Sequence, residues 1–301
     1  MYAITGATGH TGSIIADRLL AKGEKVRVLG RDARRLERFT QKGAEPFALD
    51  IVDVGALTKA FSSATAVYAM IPPNPASPDI AGYQETVSDA LAAAIEKSGV
   101  TRVVALSSIG ADKPDRTGPV VGLHNLEKKL ERISGLENAL YIRAGYFMEN
   151  FLGQVGVIQS FGHVAGPIRP DLPLPLIAAR DIGAFAAEAL EKGNFSGKHA
   201  RELQGARDVT YLEAAGIIGT AIGKPSLSYI QLPPAQLKPA LMQMGMSASM
   251  ADLLLQMADA LNSGYMKPLE PRSPENTTPT TFETFVAQEF VPAYQGKAAR
   301  A

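Results

Sequence analysis

The stretch Ile4-Thr5-Gly6-Ala7-Thr8-Gly9-His10-Thr11-Gly12 decides how this chain is read. It follows a short strand-like run, Tyr2–Thr5, and opens an amphipathic stretch, Gly12–Ala21. Three evenly spaced glycines where a strand gives way to a helix meet three separate needs. One makes the tight turn, one lets the backbone approach a diphosphate, and one lets the helix pack close on the strand. The start of that helix offers unpaired N–H groups and a partial positive charge to the phosphates. Gly6, Thr8, Gly9, Thr11 and Gly12 are therefore the candidate phosphate cradle. His10, on the first turn, either touches the phosphates or faces solvent. A glycine triplet alone is a common turn; its place after the first strand of a βαβ unit makes it a dinucleotide signature.

Outward from this loop, short β-branched runs alternate with longer helical patterns. Expected strands are Tyr2–Thr5, Lys25–Leu29, Glu45–Leu49, Ala66–Met70, Arg102–Leu106 and Ala139–Arg143. Helices are expected over Gly12–Ala21, Ala33–Gln41, Val54–Phe61, Tyr83–Lys97 and Leu123–Ser134. Crossovers of this length join parallel neighbours, so the fold class is α/β with a doubly wound parallel sheet, a Rossmann architecture.

After Arg143 the rhythm changes. Asp181 reads as the N-cap of a helix reaching about Lys192, and Thr210-Tyr-Leu-Glu213 as a capping box. Gly166–Pro175 reads as loop, and Gln236–Met244 and Ser249–Leu261 as methionine-rich helices. After a polar loop at Pro271–Pro279, Thr280-Thr-Phe-Glu283 reads as a second capping box before Phe285–Phe290. The last residues, Gln295–Ala301, read as a frayed end. The expected division is 1–150 as an NAD(P)-binding domain and 151–301 as a mixed region. That region would complete the sheet and form a smaller, mainly helical substrate lobe over the strand ends, where open α/β sheets bind ligands.

The second strand runs Val26-Arg-Val-Leu-Gly30-Arg31-Asp32. An acidic residue at this tip would take the ribose hydroxyls of NAD, whereas Gly30 leaves room and Arg31, with Arg35, supplies guanidinium charge suited to a 2′-phosphate. Asp32 argues the other way from one position further on. The expectation is NADP, with NAD possible. The third strand ends at Asp50-Ile51, where Asp50 meets the adenine amino group or serves as a turn aspartate. Ala69, Met70 and Ile71 end the fourth strand and Ser107 the fifth, and all should line the same crevice.

Composition removes several classes of function. Lys+Arg and Asp+Glu each total 30, so no basic excess invites nucleic acid or an anionic membrane. There is no cysteine, and the four histidines share no metal-ligand spacing, so no metal is expected. Apolar runs fall well short of the ~20 residues that span a bilayer. No leader is visible, and the expected location is cytoplasmic.

The spacing Gly-x-x-Gly-x-x-Gly in Thr5–Gly12 resembles the extended and atypical branches of the short-chain dehydrogenase/reductase superfamily. Members usually carry Tyr-x-x-x-Lys on the helix after the fifth strand, one helical face holding both side chains. Here that helix reads Gly122-Leu-His124-Asn-Leu-Glu-Lys128-Lys129-Leu-Glu-Arg-Ile, with His124 and Lys128 four apart and no tyrosine. The apolar stripe is Leu123, Leu126, Leu130 and Ile133, so His124 and Lys128 face either water or the cleft. Without the tyrosine the chain is similar to the NmrA-like family, and Arg143-Ala-Gly-Tyr-Phe-Met-Glu-Asn-Phe151 continues the likeness.

That resemblance implies that Asp50 and Ile51 contact adenine and that Lys128 reaches the nicotinamide ribose, with His124 as its possible catalytic companion. It also implies that Gly145, Tyr146, Phe147 and Asn150 cover the nicotinamide, with core packing as the lesser alternative for the two aromatics. The expected activity is NADPH-dependent reduction of quinone-like or conjugated aromatic small molecules. The alternative is a non-catalytic NADP(H)-binding redox sensor acting through protein partners. Oligomeric state stays open.

Overall fold

Seven parallel strands form the centre of the molecule, of which the computed structural model describes residues 1–296. The first half alternates β1 (Tyr2–Ile4), α1 (His10–Ala21), β2 (Val26–Gly30), α2 (Ala33–Thr40), β3 (Glu45–Ala48) and α3 (Val54–Phe61). It continues through β4 (Ala66–Ala69), α4 (Ile80–Ser98), β5 (Arg102–Ser108), α5 (Val120–Arg132) and β6 (Asn138–Ala144). Every expected strand is present with ends shifted by at most two residues. Helices α4 and α5 begin a turn earlier than the apolar pattern suggested. In α4 the cause is Asp79, whose carboxylate accepts from Gly82 N at 2.9 Å and so fixes the start upstream of Tyr83.

The second half holds β7 (Tyr146–Phe147), a 3₁₀ turn at Met148–Gly153, α6 (Gln154–Phe161), β8 (Val164–Gly166), β9 (Leu174–Ile177) and α7 (Ala179–Lys192). Next come β10 (Lys198–Leu203), β11 (Asp208–Val209), α8 (Tyr211–Ala221), β12 (Tyr229–Gln231), α9 (Pro234–Gln243) and α10 (Ala248–Asn262). Helix α11 (Phe282–Phe285) runs through a π-helical turn, Val286–Phe290, into α12 (Val291–Tyr294). Of the expected frayed end, residues 297–301 lie outside the described residues.

The main sheet has the order β10-β6-β5-β4-β1-β2-β3. Its strand order reverses between β1 and β4, which is where such sheets open a ligand crevice. One face is covered by α1, α2 and α7, burying Ile15, Leu19, Leu36, Phe39, Ile182 and Leu190. The other is covered by α3, α4 and α5, burying Leu57, Phe61, Leu91, Leu126 and Leu130. Parallel strands covered on both faces must be apolar throughout, as Ala66–Ala69 is. A third core, around Phe151, Tyr211, Phe282 and Phe285, belongs to the smaller lobe.

Three local expectations need correction. Asp181 is not the cap of α7: the helix starts at Ala179, and the Asp181 carboxylate instead accepts from Thr280 N at 2.9 Å and Thr280 Oγ1 at 2.8 Å. Thr280 is thereby taken out of the second capping box, and Thr281 caps α11 by accepting from Thr284 N at 3.1 Å. The ends of the Gly166–Pro175 loop are strand, in β8 and β9. The Thr210–Glu213 capping box forms as expected. No described helix is long and apolar enough to cross a membrane.

Candidate cofactor and substrate site

The three glycines of the first loop do three different things. Gly6 has φ +60°, a left-handed conformation, and a Cβ there would lie 2.7 Å from Met70 Sδ. A Cβ on Gly12 would lie 2.3 Å from Gly6 O, so this glycine lets α1 seat against the turn. Gly9 is exposed, and a Cβ on it would meet only Gly6 O at 3.3 Å. No side chain caps α1, so the first-turn N–H groups of His10, Thr11 and Gly12 are left without an acceptor from a cap. An open helix start beside an unobstructed glycine fits a diphosphate.

Thr11 contributes only its N–H, because its hydroxyl is buried against Tyr68 Oη at 2.8 Å. His10 is exposed; burial pushes the nearby Glu289 carboxyl up, with Arg180 and then His10 opposing. The Thr8 carbonyl accepts from Arg35 Nη2 at 3.3 Å, which places Arg35 along the outer wall of the cradle.

At the tip of β2 the two opposing candidates separate. The Asp32 carboxylate accepts from Arg34 N at 3.0 Å as the N-cap of α2, so it is occupied in holding the helix. Arg31 is exposed and has no ion-pair partner among the described residues. Both Arg31 and Asp50 act on the Tyr83 phenol, which burial pushes up, Arg31 opposing and Asp50 adding. Tyr83, whose hydroxyl donates to Pro72 O at 2.9 Å, thus stands in the same neighbourhood as these two. The sequence reading missed it; its signal was an aromatic in the first turn of the helix after a proline-rich strand exit. One Asp50 oxygen accepts from Val52 N at 3.2 Å, the turn role, while Ile51 is packed in the core.

The ends of β4, β5 and β6 meet beyond the cradle. Thr5 Oγ1 donates to Tyr68 O and accepts from Met70 N, both at 3.0 Å, tying β1 to β4. Ala69 is buried, whereas Met70 and Ile71 are half-buried at the rim. Ser107 donates to Glu127 Oε1 at 2.5 Å, and Glu127 takes Arg143 in a two-pronged pair. Glu127 was not anticipated, being one charge among several on a polar-looking helix. Gly145 permits a close chain crossing, since a Cβ there would stand 2.2 Å from Pro175 O. Tyr146 and Phe147 then point to opposite sides. Phe147, like Met70 and Leu106, packs against the core beneath α1 and α7. Tyr146, like Leu123 and Met257, packs against the core of the smaller lobe. Asn150 is exposed and lies against the Tyr146 hydroxyl.

The expected pair on α5 separates. His124 Nδ1 donates to Ala111 O at 2.8 Å, pinning the loop that follows β5. Lys128 is exposed, with its ammonium 2.9 Å from Glu131 a turn further on. This is the solvated-face arrangement, and the structure does not bring Lys128 together with the other candidates.

The smaller lobe roofs the crevice through α10. Ser247 N donates to Pro75 O at 2.9 Å, Ile80 N to Ser249 Oγ at 3.1 Å and Gly118 N to Gln256 Oε1 at 3.1 Å. Both strand-exit loops are therefore held from above. Met266 and Met257 meet the loop after β5 at Gly110 and Gly118, whereas Met242 and Met244 are exposed on and just after α9. An open cleft of about 390 Å³ lies between α9 and α10, lined by Pro234 and Leu255, and not at the strand ends.

A profile of the NmrA-like family matches residues 2–286. The chain belongs to the NmrA-like family. A relative from Streptomyces griseus, a (4-alkanoyl-5-oxo-2,5-dihydrofuran-3-yl)methyl phosphate reductase, is 29% identical over 282 residues, 92% of this chain and 93% of the relative. The NAD(P)H azoreductase of Xenophilus azovorans is 28% identical over 256 residues, covering 84% of this chain and 85% of its own. The NADPH-dependent quinone oxidoreductase of Escherichia coli, solved with NADPH, superposes with TM-score 0.82 at 22% identity, over 96% of this chain and all of that one. The last likeness is one of fold. In this member of the NmrA-like family the glycine loop is open and an arginine stands exposed at the tip of β2.

Proposed function

We propose that the chain is an NADPH-dependent reductase of quinone-like or conjugated aromatic small molecules. The observation that carries this reading is the lining of the strand ends beyond the cradle. Met70, Ile71, Leu106, Tyr146 and Phe147 leave a partly exposed apolar rim along that side of the crevice. A flat conjugated acceptor suits such a wall, and its reduction asks chiefly for positioning and exclusion of water. The activities of the Streptomyces and Xenophilus relatives, both reductases, and of the Escherichia coli enzyme agree with it.

When bound, the reduced nicotinamide supplies the hydride. Gly6–Gly12 holds the diphosphate on open N–H groups, Arg31 meets the 2′-phosphate, and Asp50 with Tyr83 flanks the adenosine. Ser107, fixed by Glu127, stands at the end of β5 in the floor of the crevice.

The test is NADPH oxidation by the purified protein with a panel of naphthoquinones, benzoquinones, azo dyes and triarylmethane dyes. Turnover with at least one class is expected. Tight NADPH binding with no turnover on any acceptor would overturn the reductase reading in favour of a cofactor sensor working through protein contacts.

A further inference from the structure

Two phenols stand where β7 meets the smaller lobe. Tyr146 Oη and Tyr211 Oη are 2.9 Å apart, within an aromatic cluster. The Tyr211 ring lies 4.9 Å from that of Phe151 and 4.8 Å from that of Tyr229, centroid to centroid. The capping box Thr210–Glu213 fixes the first turn of α8, and with it Tyr211. Strand β7 pairs Tyr146 with Leu176, fixing its partner.

Hydrogen counting gives the pair a meaning. Two hydroxyls carry two hydrogens, and one of these joins the oxygens. The second has no other acceptor bonded to either oxygen among the described residues, although the exposed Asn150 stands beside Tyr146. A buried donor left unpaired is costly, so the spare hydrogen belongs on the hydroxyl that can reach an outside acceptor. Tyr211 is 5% exposed and enclosed by rings, whereas Tyr146 is partly exposed at the crevice rim. On this ground Tyr211 is the member of the pair that donates, which would leave the hydrogen of Tyr146 for a ligand; the contact itself admits either donor. Burial pushes both phenols above their ordinary range, so both remain protonated donors.

We propose that Tyr146 donates this hydrogen to the carbonyl oxygen of the acceptor substrate, with Tyr211 orienting it. The inference rests on the reductase reading above and names the group that recognises the oxygen. Hydride addition to a conjugated carbonyl compound moves the π electrons onto oxygen, and the Tyr146 hydroxyl stabilises the charge that forms. Water then supplies the proton that completes the hydroxyl, so the phenol is not consumed. The position serves as a one-donor oxyanion hole, built from β7 instead of from α5.

A pair of acceptors separates this role from a structural one. Reduction of a 1,4-naphthoquinone develops charge on oxygen. Reduction of a cationic triarylmethane dye places hydride on carbon and develops none. Tyr146→Phe is expected to lower kcat/KM for the naphthoquinone by about a hundredfold to a thousandfold, the range for loss of an oxyanion donor. Dye reduction and NADPH affinity, read by cofactor fluorescence, should fall far less than quinone reduction, because Phe keeps the Tyr146 ring in the wall and removes only the hydroxyl. Tyr211→Phe should give a smaller loss in the same direction, and rules out dependence on a single variant. If the unaltered protein reduces only the quinone, NADPH affinity alone is the control. Equal effects on both acceptors, or unchanged quinone reduction, would overturn the assignment and leave the reductase reading intact. If the unaltered, NADPH-binding protein reduces a dye but no quinone, the assignment alone is overturned; no turnover on any acceptor overturns both.

Discussion

Glu127 on α5 and Arg143 on β6 meet through two hydrogen bonds, Nε to Oε1 at 3.0 Å and Nη2 to Oε2 at 2.6 Å, with 3% of the Glu127 side chain exposed. Removing the cation leaves a buried carboxylate that still has to be solvated by something. Arg143→Met is therefore expected to cost about 3–5 kcal/mol in urea unfolding. The double variant Glu127→Leu/Arg143→Met should lose less, because no charge is stranded. A double variant as unstable as the single one would show that the loss arises from packing and not from the unpaired charge.

The glycine loop predicts a clean division between folding and binding. Gly12→Ala drives a Cβ to 2.3 Å from the Gly6 carbonyl, which is backbone and cannot step aside. It should destabilise the protein by roughly 1–3 kcal/mol, as overpacking does. Gly9→Val should fold normally and lose NADPH, because its side chain would stand in the space of the diphosphate. Thermal unfolding and calorimetric titration read the two effects separately. NADPH binding by a folded Gly9→Val protein at unchanged affinity would show that the cradle lies elsewhere.

With Asp32 engaged as a helix cap, Arg31 is the free charge at the β2 tip. Arg31→Ala should weaken NADPH by tenfold or more, on the order of 1.5–3 kcal/mol for a charge-assisted phosphate contact. NADH should change little. The unaltered protein binding both cofactors equally would remove Arg31 from this role.

Lys128 and Lys129 are adjacent, yet their surroundings predict opposite outcomes. Lys129 Nζ bridges to Glu85 at 2.6 Å and Asp89 at 2.5 Å on α4, and its side chain is 18% exposed. Lys129→Met should lose about 1 kcal/mol of stability as that junction loosens. Lys128→Met should change neither stability nor turnover. Impaired turnover in Lys128→Met alone would return that residue to the cofactor site.

Glu149 makes stability depend on pH. One of its oxygens accepts from Ala179 N at 2.8 Å, while Oε2 is buried with no partner among the described residues. Burial pushes the carboxyl from 4.5 up to about 7; nearby Glu289 adds to this and Arg180 opposes it. A carboxyl raised by folding holds its proton more tightly in the native state. Its contribution is thus complete below the unfolded value and is lost as pH rises through about 7. Glu149→Gln should remove that loss. Between about pH 5 and about pH 8 its stability should fall less than that of the unaltered protein, by on the order of 1–3 kcal/mol. Parallel pH profiles for the two proteins would contradict the assignment.

Legibility followed locality. The alternation of β-branched runs and amphipathic helices is a short-range pattern, and it yielded β1 to β6 with their crossovers. The glycine spacing likewise marked the tight turn into α1, because each glycine answers to neighbours a few residues away. Long-range partners were not legible. Asp181 looked like a cap because its own neighbourhood said so, yet it bonds Thr280, 99 residues on. Tyr211 could not be linked to Tyr146 from spacing, since the two meet only after β7 and α8 are docked. Strand β10 escaped notice for a related reason: its first four residues, Lys198–Arg201, are only partly buried and carry mostly polar side chains, as an edge permits.

That edge strand also sets an order of events during synthesis. β6 has no neighbour on its outer side until Lys198–Leu203 pairs with it, about fifty residues later in the chain. A nascent chain that has released β6 presents a row of unsatisfied amide and carbonyl groups to its surroundings, of the kind that recruits other strands. At ~5–20 residues per second, the interval lasts several seconds, ample time for two nascent chains on one message to meet. Shortening the protein ahead of residue 198 would make that transient state permanent. Such a fragment would still contain the cradle but would be prone to self-association. Expression yield would thus depend on how quickly translation passes through the segment that supplies the missing neighbour.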